Sequence, residues 1–383
     1  MKGITGLNSY PNQGRDLVLI TMIVLLTIVG LVTVYSASSE RSNEDFGNPH
    51  KMFIKQFVRT IIGFGLLFIA AWIPYSIWKK FAVPAMILCG FFLLLIFASN
   101  LGHESKGASR WLHLGPVRFQ PSELAKFSIV LFIAAWSAQK GEEMKSFKKG
   151  ILFPLGFSMI LIFMVAIQPD FSTAVMLSVI AFMMIFVSGA NIKHIAVIIS
   201  PLIFIATFFI FTSKYRLARL LDFIGVGVNI EKAHPQVLQA WIGFGRGGFF
   251  GVGVGESRQK LLILPEAHTD FIYSVLGEEW GFVGAVTLMV LFMILIWRGI
   301  KIGMRCPDSF GAYLAIGITF SIGLYAIMNM GIAAGVLPTT GLPLPFISFG
   351  GTSLLLSYGA MGVLLNISRY SQTKPSFQSQ GAI

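Results

Sequence analysis

Residues 17–37 read LVLITMIVLLTIVGLVTVYSA, a run of 21 residues that contains no charged side chain. A helix of this length rises about 30 Å, at roughly 1.5 Å per residue, and so matches the hydrocarbon core of a bilayer. The run is too long for the apolar core of a secretory signal peptide, and we therefore expect it to be retained as a membrane anchor. This stretch predicts a membrane protein.

Comparable apolar runs recur from one end of the 383-residue chain to the other. Hydrophobic residues make up 55% of the chain and charged residues only 12%, about half the charged share of a soluble protein. This composition predicts an all-α polytopic membrane protein that forms a single domain over residues 1–383. Ten spans are expected, at about 17–37, 55–74, 78–99, 121–138, 150–168, 171–189, 192–212, 271–297, 311–336 and 346–368.

The distribution of Lys and Arg predicts the orientation of these spans. With both termini cytoplasmic, the inner segments carry fourteen Lys and Arg residues and the short outer loops carry six. This asymmetry favours cytoplasmic termini and places loops 38–54, 100–120 and 213–270 outside. The net charge of +12 suits anionic lipids and phosphate-bearing ligands. Because the basic residues are scattered among the spans, we expect no nucleic-acid partner.

Ionisable groups at the outer end of the fourth span are the first candidate site. Glu123 and Lys126 are three residues apart, so they share one face of a helix, and Arg118 lies just before that helix. One interpretation is a basic wall for an anionic group, with Lys126 as a point charge for phosphate. The other is an ion pair between Glu123 and Lys126 that only holds the bundle together. The residues alone do not separate the two interpretations.

A second candidate is the run Leu264–Phe271, LPEAHTDF, which closes the long loop and opens the eighth span. Asp270 has two interpretations, a cap for the following helix or a general base at the outer mouth of the bundle. Glu266 and His268 are expected to orient Asp270 or to share a metal ion with it. Further along, Glu278 and Glu279 point in different directions, so at most one of them lines the same cavity as Asp270.

Two other segments are rich in glycine. Residues 243–255 resemble a dinucleotide fingerprint only superficially, because no strand precedes them and no βαβ unit surrounds them. They are expected to form a flexible loop or a re-entrant segment. The last outer loop, Asn329–Ser353, contains three prolines and many glycines. The loop is expected to form a structural hairpin at the membrane face or one wall of a substrate groove, two interpretations that are compatible, and its end, Ser348 to Ser353, places small and hydroxyl residues at the start of the tenth span.

In this order, these motifs resemble the SEDS family of bacterial cell-wall polymerases, the FtsW/RodA/SpoVE group. The resemblance covers essentially the whole chain, and Asn329–Ser353 is its longest and most specific motif. Phe349 stands where the family more often has Tyr, Ser or Ala. Ala267 resembles the division or sporulation branch, since the elongation branch tends to have Arg there. Further matching motifs are Gly107–Trp111, Gln120–Glu123 and Gln168–Asp170.

The resemblance implies a peptidoglycan glycosyltransferase that polymerises lipid II at the outer face of the bacterial plasma membrane. Asp270 matches the family's essential acid, Arg118 and Lys126 match basic residues near the substrate diphosphate, and Glu123 matches a polar neighbour of that lysine. A divalent cation, Mg or Mn, would assist, with Asp270 as a candidate ligand. The expected partners are lipid II, the growing glycan strand, a class B penicillin-binding protein with transpeptidase activity, and division or sporulation proteins. A lipid II flippase and a non-catalytic scaffold of the division machinery are the alternatives.

Overall fold

A computed structural model describes residues 16–98, 102–105, 108–114, 117–168, 170–212, 217–218, 221 and 235–371. Gly107 and Pro169 of the motifs above lie outside the described residues, as do residues 222–234 of the predicted long loop. In chain order the helices are α1 Leu17–Phe46, α2 Lys51–Trp72, the single turn α3 Tyr75–Trp78, α4 Ala82–Ala98, α5 Pro121–Lys140, α6 Phe153–Ile167, α7 Phe171–Val187, α8 Ile192–Thr212, α9 Pro235–Gly247, α10 Ile272–Arg305, α11 Ser309–Ala333 and α12 Thr352–Ser371.

The chain is an all-α polytopic membrane protein, as its composition predicts. Six helices in the described part of the chain are long and apolar enough to cross a bilayer, and α7 and the first half of α8 are shorter apolar helices. The six candidate spans are Leu17–Phe46, Lys51–Trp72, Tyr75–Ile96, Lys148–Ile167, Ile272–Arg305 and Ser309–Ala333. A helix is also found at each of the four other predicted positions.

Helices α5, α11 and α12 form the interior of the bundle, and this explains why α5 and α12 are less apolar than the spans around them. Most residues of each are buried, including the charged pair of α5. Because these helices face protein rather than lipid, they tolerate polar side chains. Small residues allow these helices to approach their neighbours closely, as where Gly362 of α12 packs against the carbonyl oxygen of Leu67 in α2.

The predicted loop 100–120 contains a small antiparallel sheet that the sequence did not predict. Its strands are β1 Gly102–Ser105, β2 Ala108–Leu114 and β3 Val117–Phe119, in the order β1-β2-β3. Arg118 pairs with His113 in this sheet. The sheet fixes Arg118 immediately before α5, where the hydroxyl of Thr352 donates to the Arg118 carbonyl oxygen at 3.3 Å. It therefore connects the start of α5 to the start of α12.

The predicted loop 213–270 also contains regular structure, because α9 lies within it. The glycine-rich segment after α9 packs against a break in α10 at Gly281, whose φ is 67°. At this break the amides of Val252 and Gly253 donate to the carbonyl oxygens of Glu278 and Glu279, both at 3.0 Å. The glycines thus serve close backbone packing, which is the purpose that the re-entrant interpretation gave them.

Two predicted boundaries are wrong for local reasons. The last helix begins at Thr352 rather than at 346, because Phe346 has a φ of 66° and cannot continue a right-handed helix. The helix predicted over 271–297 extends to Arg305 and contains 34 residues. Gly281, with its non-helical φ of 67°, divides this segment into two helices, and the second, over residues 282–305, is about 36 Å long at roughly 1.5 Å per residue.

Candidate functional site

Asp270 lies in a turn just before α10. The N-cap position of α10 is held by Phe271, one residue after Asp270. The turn is organised by Glu266, which has a φ of 59°. Its carbonyl oxygen accepts from the amides of Thr269, Asp270 and Phe271 at 3.1 to 3.3 Å. The backbone of Asp270 is therefore fixed while its side chain is only half-buried.

Asn329 of α11 joins this turn to the last predicted loop. Its side-chain amide donates to the carbonyl oxygen of Asp270 at 2.8 Å and to that of Leu342 at 2.7 Å. Gly341, in the same loop, has a φ of 71°, and a methyl group at its Cα would lie 3.2 Å from the carboxylate oxygen Oδ2 of Asp270. Glycine at this position leaves space for the carboxylate.

Ser348 bridges the same two segments. Its hydroxyl donates to the Thr269 carbonyl oxygen at 2.6 Å and accepts from the Leu344 amide at 2.8 Å. The amide of Phe349 donates to the carbonyl oxygen of His268 at 2.9 Å. Ser348 thus holds the backbone of the Asp270 turn against the last loop, and the predicted groove wall stays a prediction. The carbonyl oxygen of Ser353 accepts from the Ser357 hydroxyl at 2.7 Å.

Glu266 and His268 are supports of the Asp270 turn in the contacts that the structure gives. Glu266 Oε2 accepts from the Thr269 hydroxyl at 2.9 Å, and the His268 ring packs edge-on against Phe349, with ring centroids 5.7 Å apart. Within the described ranges, no group of three or more His, Cys, Asp or Glu side chains is arranged to hold a metal ion.

Phe349 also packs against a cation that the sequence analysis missed. The guanidinium carbon of Arg59 in α2 lies 5.0 Å from the ring centroid of Phe349, and Arg59 Nη1 donates to the carbonyl oxygen of Gly350 at 3.4 Å. Arg59, Lys55 and Arg118 are close enough to repel one another electrostatically. Arg118 is exposed. We call these three residues the basic cluster. Its concentration of like charge is suited to an anion.

A sequence signal for Arg59 was available. It lies one helical turn inside an apolar run, four residues after Lys55, and a charge in such a position is usually functional. The side chain of Gln56, near Arg59 in α2, contacts the same loop. Its Nε2 donates to the Ser348 carbonyl oxygen at 3.2 Å, and its Oε1 accepts from the Gly350 backbone amide at 3.2 Å. These contacts cross about 290 residues of sequence, and nothing in the local pattern indicates them.

Glu123 and Lys126, which their spacing places on one face of α5, form an ion pair, the second of the two interpretations given above. Lys126 Nζ lies 2.8 Å from Glu123 Oε2, and the lysine is only 2% exposed. The ammonium also lies 3.9 Å from the ring centroid of Tyr325 in α11. Asp170, at the N-terminal end of α7, lies nearby and faces Arg110 at 3.8 Å. Lys126 is therefore enclosed by protein, whereas Arg118 of the basic cluster is exposed.

Glu278 and Glu279 do not contribute to the turn around Asp270 in the contacts described. Glu278 is fully buried and accepts from the Arg246 guanidinium at 2.6 Å, from the Ser257 hydroxyl, and from the amides of Arg258 and Gln259. Glu279 accepts from the Ser36 hydroxyl of α1. Glu278 thus fastens the long loop to α10.

The comparisons with known proteins agree with this architecture. The family model described as "Cell cycle protein", for FtsW, RodA and SpoVE, matches residues 16–373. The chain is 40% identical to "Probable peptidoglycan glycosyltransferase FtsW" of Geobacter sp. (strain M18), over 93% of this chain and 97% of that protein. It is 35% identical to "Stage V sporulation protein E" of Bacillus subtilis (strain 168), over 93% of this chain and 98% of that protein. These relatives confirm the branch that Ala267 indicates.

Solved structures share the fold. A chain of the structure described as "Structural coordination of polymerization and crosslinking by a peptidoglycan synthase complex" superposes with a TM-score of 0.76 at 25% identity, covering 94% of this chain and 99% of that one. The crystal structure of the rod shape determining protein RodA of Thermus thermophilus gives a TM-score of 0.68 at 25% identity, covering 95% and 100%. The matches along the chain, and the apolar helices with them, establish that this multi-pass bacterial membrane protein belongs to the FtsW/RodA/SpoVE family.

Proposed function

We propose that this protein is a glycosyltransferase that polymerises lipid II into glycan strands at the outer face of the plasma membrane. The observation that carries the proposal is that one loop, Gly341–Gly351, lies beside both the proposed base and the basic cluster. At one end a methyl group on Gly341 would lie 3.2 Å from the Asp270 carboxylate, and at the other end Phe349 packs against the Arg59 guanidinium. A base and an anion-binding surface on one rigid support are what this transfer needs. The names of the relatives, peptidoglycan glycosyltransferases among them, agree with it.

In the proposed reaction, Asp270 accepts the proton of the sugar 4-hydroxyl of the incoming lipid II. The oxygen of that hydroxyl forms a bond to the anomeric carbon of the growing strand, and the bond from that carbon to the polyprenyl diphosphate breaks. The diphosphate leaves with the bonding electron pair. Arg118, Arg59 and Lys126 stabilise its developing charge. A single acid is sufficient, because a diphosphate is a good leaving group and needs no protonation.

The remaining predicted site residues have supporting roles in this proposal. Glu123 holds Lys126 in the resting state, and Glu266 and His268 fix the turn that presents Asp270. Ser348 and Ser353 belong to the wall along which the substrate lies. A divalent cation, Mg or Mn, would be held by Asp270 together with substrate oxygens, and it would neutralise charge on the diphosphate.

The proposed topology has ten spans, cytoplasmic termini and the large loop 213–270 outside between spans seven and eight. A class B penicillin-binding protein and division or sporulation proteins are the proposed partners. The structural relative whose description couples polymerization with crosslinking supports a transpeptidase partner. Cysteine labelling of Asp45→Cys and Asn191→Cys in intact cells, in a background without Cys89 and Cys306, tests the topology. Asp45 is expected to be labelled from outside and Asn191 from inside.

The proposed activity is tested with purified protein, purified lipid II and separation of the polymer by gel electrophoresis. The wild type, with or without its partner, is expected to produce glycan strands, and Asp270→Asn is expected to produce none. Asp45→Asn is the matched control, because Asp45 is an exposed carboxylate that pairs only with Arg41 in the contacts described. Polymer formation by Asp270→Asn at the wild-type rate would exclude Asp270 as the base.

The buried Glu123–Lys126 pair is also compatible with a polar path for transport, so a lipid II flippase is the second candidate. Translocation of labelled lipid II across liposomes, without polymer, would favour it over the polymerase. A scaffold of the division machinery would tolerate Asp270→Asn in cells. That outcome, with no polymer from the wild type, would leave the scaffold as the remaining candidate.

A further inference from the structure

The side chain of Tyr325 is buried in a way that the resting structure does not explain. Tyr325 is 0% exposed, and its ring lies against the Lys126 ammonium. Its hydroxyl has no hydrogen-bond partner among the described residues. A phenylalanine would offer the same ring to the ammonium without burying an unpaired hydroxyl, which is unfavourable. The hydroxyl is therefore a feature that some other state of the site must use.

The charges around Tyr325 indicate which group the hydroxyl serves. The carboxylates of Glu123 and Asp170 both interact electrostatically with it. Asp170 faces the guanidinium of Arg110. Glu123 is held by Lys126 at 2.8 Å. If the Lys126 ammonium turns towards an anion, Glu123 loses its counter-ion while it remains buried, and a buried charge without a partner is costly.

We propose that Tyr325 is a positioning residue that allows Lys126 to exchange partners. In the resting state its ring holds the ammonium beside Glu123. When a prenyl diphosphate draws the ammonium away, the Tyr325 hydroxyl donates to the released Glu123 carboxylate. This inference rests on the proposed function for the identity of the anion, and it adds a residue that lies outside the family motifs quoted above.

Helix α11 places this exchange next to the proposed base. Asn329 lies four residues after Tyr325, on the same face of the helix and about 6 Å further along it. Asn329 binds the carbonyl oxygen of Asp270, while Tyr325 contacts Lys126. One rigid helix therefore sets the separation between the base and the enclosed cation.

The test measures binding of farnesyl diphosphate to the full-length protein in detergent by isothermal titration calorimetry. Four proteins are compared: wild type, Tyr325→Phe, Glu123→Gln and the double variant. Tyr325→Phe is expected to bind about tenfold more weakly, because Lys126 is harder to release. Glu123→Gln is expected to bind at least as tightly as the wild type, and Tyr325→Phe should have no further effect in that background.

A purely structural role of Tyr325 predicts a different pattern. Since the resting hydroxyl is unpaired, Tyr325→Phe is expected to keep or raise the melting temperature while binding falls. Unchanged binding by Tyr325→Phe, the same loss in both backgrounds, or no binding by the wild type would overturn the proposal. So would binding that Lys126→Ala leaves intact. Lipid II polymerisation by the wild type is assayed separately. The expected binding pattern without any polymer would reject the proposed glycosyltransferase activity but would still support the exchange of partners by Lys126.

Discussion

Asp270 and Glu278 lie eight residues apart in the same segment of the chain, yet their surroundings are opposite. Glu278 is fully buried, and its carboxylate accepts from a guanidinium, a hydroxyl and two backbone amides. At Asp270 the groups that hold the backbone are the Glu266 carbonyl oxygen and the Asn329 side chain, and the carboxylate is half-buried and lies close to Gly341. A fully buried carboxylate that accepts four hydrogen bonds is suited to holding structure. A half-buried carboxylate on a fixed backbone is suited to chemistry.

The largest effect expected from this difference is on the rate of Asp270→Asn. A general base contributes about 10²–10⁴-fold to a rate, so polymerisation is expected to fall by that factor. The melting temperature should change little, because the backbone hydrogen bonds that hold the turn remain in the variant. Lipid II polymerisation and thermal unfolding of the same preparation are the measurements. A lower melting temperature with proportional loss of activity would instead make Asp270 a structural residue.

Glu278→Gln is expected to give the reverse result, a loss of stability. The variant would remove the charge opposite Arg246 and turn an amide group towards donors, and breaking a buried pair costs about 3–5 kcal/mol. Thermal or denaturant unfolding in detergent measures the loss, and activity per folded molecule should be nearly retained at low temperature. Glu256→Gln, an exposed acid in the same loop, is the control. If Glu278→Gln were as stable as the wild type, the contrast between a structural Glu278 and a catalytic Asp270 would be contradicted.

The sequence predicts the helices better than it predicts the long-range contacts of the candidate site, for a physical reason. Apolar runs reveal the helices, and the three-residue spacing of Glu123 and Lys126 places them on one face, because both are local properties of a helix. The roles of Arg59 and Gln56 depend on contacts with residues 348 to 350, which are about 290 positions away. The same applies to the enclosure of Lys126 by Tyr325. Such contacts are set by tertiary packing, on which the local pattern carries no information.

A smaller effect is expected from Gly341→Ala. A φ of 71° is unfavourable for alanine by about 1–2 kcal/mol, and the new methyl group would press on the Asp270 carboxylate at 3.2 Å. A shift of a few tenths of an ångström at the base should lower the polymerisation rate about tenfold. Gly359→Ala is the matched control, since a methyl group there meets no atom within 4 Å. Equal activity of the two variants would show that the carboxylate has more freedom than the contacts indicate.

The smallest expected effect tests whether the basic cluster binds the diphosphate through shape as well as charge. Arg59→Lys keeps the positive charge but loses the planar group that lies over Phe349 and reaches Gly350. The kcat/KM for lipid II is expected to fall about three- to tenfold, because one charge-assisted contact to the diphosphate weakens. Lys51→Arg is the control, since Lys51 is exposed, lies over Phe46 rather than Phe349 and keeps its positive charge in the variant. A fall in kcat at constant KM would assign Arg59 to the leaving step alone, and no change in either constant would remove it from the site. Salt screens the charge at the exposed part of the basic cluster, but it does not screen a difference in shape. If the planar geometry of Arg59 is the cause, the difference between Arg59→Lys and the wild type should therefore persist at high ionic strength.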